Sequence, residues 1–123
     1  MKGAGRQILL LSLLVLALAT ACNPDATRAD RYLVGNLAEK YARQGDKLAA
    51  ESRPAEALLA YRQAALADPA YAPGLQRLAS AYAAQGQRRL AVLLYEKLLA
   101  AKPSVDMAKL AHREAAALYR KLG

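Results

Sequence analysis

The sequence predicts an all-α fold of about five helices, and three features predict it. Ala and Leu dominate the 123 residues, with 30 and 23 copies. Beyond residue 21 only Thr27, Val34, Val92 and Val105 are β-branched, and Phe and Trp are absent. Pleated sheet faces draw on those residue types, so a β-sheet protein is excluded. From Ala29 onward apolar residues recur at spacings of three and four, with Pro and Gly breaking the pattern at intervals. At this length the chain holds one small domain with a modest core.

Residues 1–21 read as a secretory signal. Lys2 and Arg6 form a basic head, Ile8 to Leu18 is an apolar run broken only by Ser12, and small residues follow. The run falls short of the roughly 20 apolar residues that cross hydrocarbon, so cleavage is expected over anchoring. Two cleavages fit. Ala19-Thr20-Ala21 suits an ordinary secretory cut, which leaves the only Cys as a lone thiol in an oxidising compartment. The ending Ala19-Thr20-Ala21-Cys22 also resembles the bacterial lipoprotein box, with Ala19 where that box prefers Leu. The resemblance implies a diacylglyceryl group on Cys22 and two or three acyl chains, enough for stable anchoring. It also implies the periplasmic face of the outer membrane, since Asn23 stands where an Asp would resemble an inner-membrane retention signal. In an organism without an outer membrane the anchor lies in the cell membrane. No cofactor beyond the lipid on Cys22 is expected.

Residues 22–29 read as a tether, of which the seven residues 23–29 reach at most about 24 Å when extended. It keeps Arg28 and Arg31 near anionic headgroups. The folded domain then covers 30–123. A first helix is expected from about 29 to 51, with Leu33, Val34, Leu37, Tyr41, Leu48 and Ala49 on its apolar face. Ser52-Arg53-Pro54 breaks it, and Pro54 suits the first turn of a second helix running to about Ala67. A third spans about 71 to 84 and stops at Gln85-Gly86, and a fourth spans about 88 to 101, before Lys102-Pro103. Ser104 caps a fifth, about 105 to 121, with Asp106 near its positive end.

Displaced by 34 residues, Ala57 falls on Ala91, Leu59 on Leu93, Tyr61 on Tyr95 and Pro69 on Pro103. The Tyr and Pro coincidences carry the repeat, because Ala matches count for little in so Ala-rich a chain. Both windows, 38–71 and 72–105, resemble the tetratricopeptide repeat (TPR), a helix–turn–helix unit of 34 residues. The second has Leu75-x-x-Leu78-Ala79-x-x-Tyr82, Gly86, Ala91-x-x-x-Tyr95 and Pro103. The first keeps Tyr41, Gly45, Leu48, Ala57, Tyr61 and Pro69, and departs at Gln44, where Leu is usual, and at Ser52, where Gly is usual. Small residues at Gly45, Ala57, Ala79 and Ala91 let paired helices approach, with Tyr61 and Tyr95 filling the space beside them. Two repeats need covering at their ends, so the start of the first helix and the C-terminal helix 105–121 are read as caps.

Catalytic chemistry has little to draw on. His112 is the only His, placed as a surface residue near a helix start, and no phosphate loop, metal-spaced cluster or nucleophile motif occurs. No catalytic residue and no metal site are therefore assigned. Glu39, Asp46 and Glu51 interleave with Lys40, Arg43 and Lys47 as on a solvated helix face. Net charge is +8, or +6 once Lys2 and Arg6 leave with the signal. The basic residues are spread over every helix and most of the Tyr belong to the repeat pattern, so nucleic acid is not the expected partner.

Two binding surfaces remain. The TPR resemblance implies a peptide groove on the face built by the first helix of each pair: Ala42, Asp46 and Ala49, then Gln76, Ser80 and Ala83, with Leu110 and Glu114 beyond. That groove is expected to be shallow and neutral to acidic. Leu59 and Leu93 sit among polar neighbours at equal places in the two repeats and form a candidate apolar ridge for a partner or a second copy. The chain thus resembles small TPR lipoproteins that help assemble pili, secretion channels or outer-membrane machinery. The resemblance implies a membrane-held adaptor for a protein or peptide. The alternative is a structural lipoprotein that associates with itself, as a homodimer, and has no separate client.

Overall fold

The computed structural model describes residues 24–123. The signal segment 1–21 and the lipid site Cys22 lie outside the described residues. Within them the chain forms five helices and no strand: α1 (Pro24–Ala50), α2 (Pro54–Ala67), α3 (Ala72–Ala84), α4 (Arg88–Ala100) and α5 (Val105–Leu122). From Leu33 to Gly123 these make one compact unit.

Four of the five helices start and stop within a residue or so of where the breakers put them. The exception is the entry to α1. The stretch 22–29 was expected as an extended tether, yet the helix already runs from Pro24. The physical reason is local: Pro is preorganised for the first helical position, and nothing in Asp-Ala-Thr-Arg-Ala breaks the turns that follow. At about 1.5 Å per residue a helical stretch reaches less than half as far as an extended one.

The two hairpin turns share one motif. After α1, Arg53 N–H donates to Leu48 O (3.0 Å) and Ser52 N–H to Ala49 O (3.1 Å). After α3, Gln87 N–H donates to Tyr82 O (2.9 Å) and Gly86 N–H to Ala83 O (3.0 Å). Both are Schellman closures, which need a left-handed residue at their centre. Gly86 supplies it at φ 77, and Ser52, with a Cβ to accommodate, adopts φ 59. The departure at Ser52 therefore leaves the turn unchanged. Ser104 Oγ accepts from Met107 N–H at 3.4 Å and caps α5 as expected.

Consecutive helices pack on one another from α2 to α5, and α3 also reaches α5. The larger core unites Leu75 and Ala79 of α3, Ala91, Val92, Tyr95 and Leu98 of α4, and Ala111, Ala115 and Leu118 of α5. A smaller one joins Ala57 and Tyr61 of α2 to Leu78 of α3, with Leu48 of α1 against it. The small residues do what their spacing required: Ala57, Ala79 and Ala91 are buried. Gly45 is buried too, and a Cβ built on it would lie within 3.0 Å of three ring carbons of Tyr61.

Candidate functional site

Asp46 on α1 is the centre of a polar cluster that crosses between helices near the expected groove. Arg77 on α3 donates through Nε to both carboxylate oxygens of Asp46, at 2.8 and 2.9 Å. The Tyr61 hydroxyl donates to Asp46 Oδ1 at 3.0 Å. Arg77 also donates through Nη1 to Pro73 O at 3.2 Å, which fixes the guanidinium against its own helix. Burial raises the Asp46 pKa, but the Arg77 and Tyr61 hydrogen bonds outweigh it and hold the carboxyl below its usual range. Burial and the ionised Asp46 push the Tyr61 phenol up to about 12. At neutral pH the cluster is therefore a fixed carboxylate, guanidinium and phenol, which clamps α1, α2 and α3 together.

Beside the clamp lies an open cleft of about 450 Å³ between α1, α2 and α3. Its walls are Ala49, Ala57, Ala81 and Ala84, with Tyr61 and Arg77 at the clamp and Gln76, Ser80 and Gln85 as neutral polar groups. The volume is in the range of about 300–1,000 Å³ typical of small-ligand sites. Small side chains and amide or hydroxyl groups suit an extended peptide, whose main chain needs hydrogen bonds and whose side chains need shallow room.

Three of the six expected groove residues, Ala49, Gln76 and Ser80, come together in this cleft. Ala42 does not: it is 1% exposed and belongs with Ala38 and Gly45 on the interior stripe of α1, at helical spacings of four and three. Ala83 packs partly buried against the larger core. Leu110 and Glu114, half-buried on α5, do not line the cleft. Asp46 is beside it but engaged, so the expected neutral-to-acidic character is corrected: Arg77 neutralises the carboxylate. Asp46 stays on a solvated face, its side chain 43% exposed, while it accepts from Arg77 across to α3.

Arg77 was missed as a site residue, though a signal existed. Arg43, Arg53 and Arg113 each pair with an acid within four positions of sequence. Around Arg77 the positions three and four away are Pro73, Gly74, Ser80 and Ala81. Arg77 has no acid in reach on its own helix, which leaves its guanidinium available to Asp46 on α1.

Leu59 and Leu93 are 56% and 62% exposed, as a surface ridge requires. They do not line one groove. Leu59 faces Tyr41, Gln44 and Leu48 of α1, whereas Leu93 lines a second cleft between α2 and α4. His112 is exposed. No group of three potential metal ligands occurs among the described residues. No helix among them is long and apolar enough to cross a membrane. No protein-family model matches this chain, and no curated protein does.

Proposed function

We propose that this chain is a TPR-like, lipid-anchored adaptor of the bacterial envelope, without catalytic turnover. It holds a protein or peptide partner in the cleft between α1 and α3. The observation that carries the reading is that cleft, lined by small apolar and neutral polar residues and stiffened by the Asp46–Arg77–Tyr61 clamp. The TPR likeness is supported by residues 34 apart standing in equivalent places: Ser52 and Gly86 in the same turn, Ala57 and Ala91 buried, Tyr61 and Tyr95 buried. Anchoring rests on Cys22 and the signal before it, with the periplasmic face of the outer membrane as the site. An anchored adaptor meets its partner in two dimensions, so a modest interface suffices for assembly of pili, secretion channels or outer-membrane machinery.

The test is capture from envelope extracts with the full-length protein and with Ser80→Trp, which fills the cleft from an exposed position. A partner retained by the first and lost by the second, with helicity equal, supports the reading. A partner held equally by both removes the cleft from it. Metabolic labelling with palmitate, lost in Cys22→Ser, tests the anchor. The exposed Leu59 and Leu93 favour the second reading, self-association. Light scattering of a soluble form lacking Cys22 decides between them: a concentration-independent monomer supports the adaptor.

A further inference from the structure

A second exposed apolar surface lies away from the α1/α3 cleft. Leu66 on α2 and Leu90 and Leu93 on α4 are 74%, 45% and 62% exposed, and all three border one cleft of about 290 Å³. Its floor is Leu78 and Tyr82 of α3 with Leu94 of α4. Arg62 and Lys97 stand on its rim, and no acid lines it. Among the described residues neither cation has an acidic partner within salt-bridge distance, whereas Arg43, Arg53, Arg77 and Arg113 all do.

The repeat frame does not dictate this chemistry. Thirty-four residues earlier the equivalent surface carries Glu56 and Gln63 where this one has Leu90 and Lys97. An apolar trough with unpaired cations beside it is complementary to a segment that carries leucine-like anchors on one face and carboxylates along its flanks. Two other occupants fit less well. A twofold contact between copies sets the same patch on itself, so Arg62 and Lys97 meet a surface that carries cations and no acid. A bilayer surface is flat, while Leu78, Tyr82 and Leu94 lie at the bottom of a trough that inserted side chains reach.

We infer that the α2/α4 cleft is a second docking site, which takes an acidic amphipathic helix of a protein partner through Leu66, Leu90 and Leu93, with Arg62 and Lys97 reading its carboxylates. It rests on the adaptor reading for the class of partner and on nothing in the α1/α3 cleft.

The experiment is affinity selection by the full-length protein from a library of helical peptides of about 16 residues. Leu is fixed at i, i+3 and i+7, and the flanking positions are randomised. Asp and Glu should be enriched at the flanks. Selected peptides should bind Arg62→Glu plus Lys97→Glu at least about tenfold more weakly, with a loss on adding salt. Leu93→Glu should weaken binding as much, and Ser80→Trp should leave it unchanged. Neutral or basic flanks, no enrichment, or equal binding by the charge-reversed variant overturns the proposal. So does loss, in that variant, of phosphatidylglycerol vesicle binding or of self-association with no peptide selected. If Ser80→Trp alone abolishes peptide binding, this second site fails while the adaptor reading stands.

Discussion

Gly45 on α1 lies directly against the ring of Tyr61 on α2, so close that the ring occupies the place a Cβ would take. The same ring reaches past it to place its hydroxyl on Asp46. One glycine thus sets the separation of the first helix pair and the position of a clamp donor.

Gly45→Ala should destabilise the domain. Alanine favours helix over glycine by about 1 kcal/mol, but forcing a methyl into the ring costs about 1–3 kcal/mol. The expected net loss is about 1 kcal/mol, and at most about 2, by urea denaturation. Tyr61→Leu in the same chain should recover part of it, because the obstacle is the ring. A Gly45→Ala protein as stable as the parent would show that the helices separate freely.

Ser52 and Gly86 make the same turn at different conformational cost. A left-handed residue with a Cβ is disfavoured by about 1–2 kcal/mol, a penalty that Ser52 carries and Gly86 does not. Ser52→Gly should therefore raise stability by about 1 kcal/mol, or about 4–8 °C in thermal midpoint for a domain of this size. Gly86→Ala should lower it by a similar amount, although the space around Gly86 is open. Calorimetry of the pair checks both signs.

The clamp should make stability depend on pH at both ends. Asp46 titrates below its usual value when folded, because Arg77 and Tyr61 outweigh the effect of burial. Its contribution is present above about pH 4 and is lost as pH falls through the folded pKa. Tyr61 is raised to about 12 by burial and by Asp46. Its contribution is present below about pH 10 and is lost between there and about pH 12. The side chains of Arg77 and Asp46 are 33% and 43% exposed, so the pair is worth about 0.5–1 kcal/mol. Asp46→Asn should flatten the acid limb of a denaturation-versus-pH curve, and Tyr61→Phe the alkaline limb.

Leu59→Glu plus Leu93→Glu should leave helicity intact and the folding free energy within about 0.5 kcal/mol, since both side chains stand in solvent. Circular dichroism and thermal melts check this. A large loss of stability would make these leucines part of the packing.

How much was legible in sequence differs between backbone and site. Pro54, Gly86 and Pro103 punctuate the chain through local steric rules, so four helices were placed closely and Pro24 alone was misread, as tether where it opens a helix. The buried partners of the small residues were legible as well, because Tyr61 and Tyr95 recur at a fixed distance from Ala57 and Ala91. The groove was half legible. Ala49, Gln76 and Ser80 meet as their helical faces implied, whereas Ala42 turned inward with Ala38 and Gly45.

The sequence by itself determined an all-helical chain, the places where its helices break, and the exposure of Leu59 and Leu93. These follow from interactions a few residues long, which composition and spacing encode directly. Only the tertiary structure decided that Asp46 belongs to Arg77 across a gap of 31 residues, that Ala42 faces the interior, and that Leu66, Leu90 and Leu93 gather round one trough. Those outcomes depend on how far and at what angle one helix lies from the next. That angle is fixed by packing across the domain, through contacts such as Gly45 on Tyr61, and no single helix carries it.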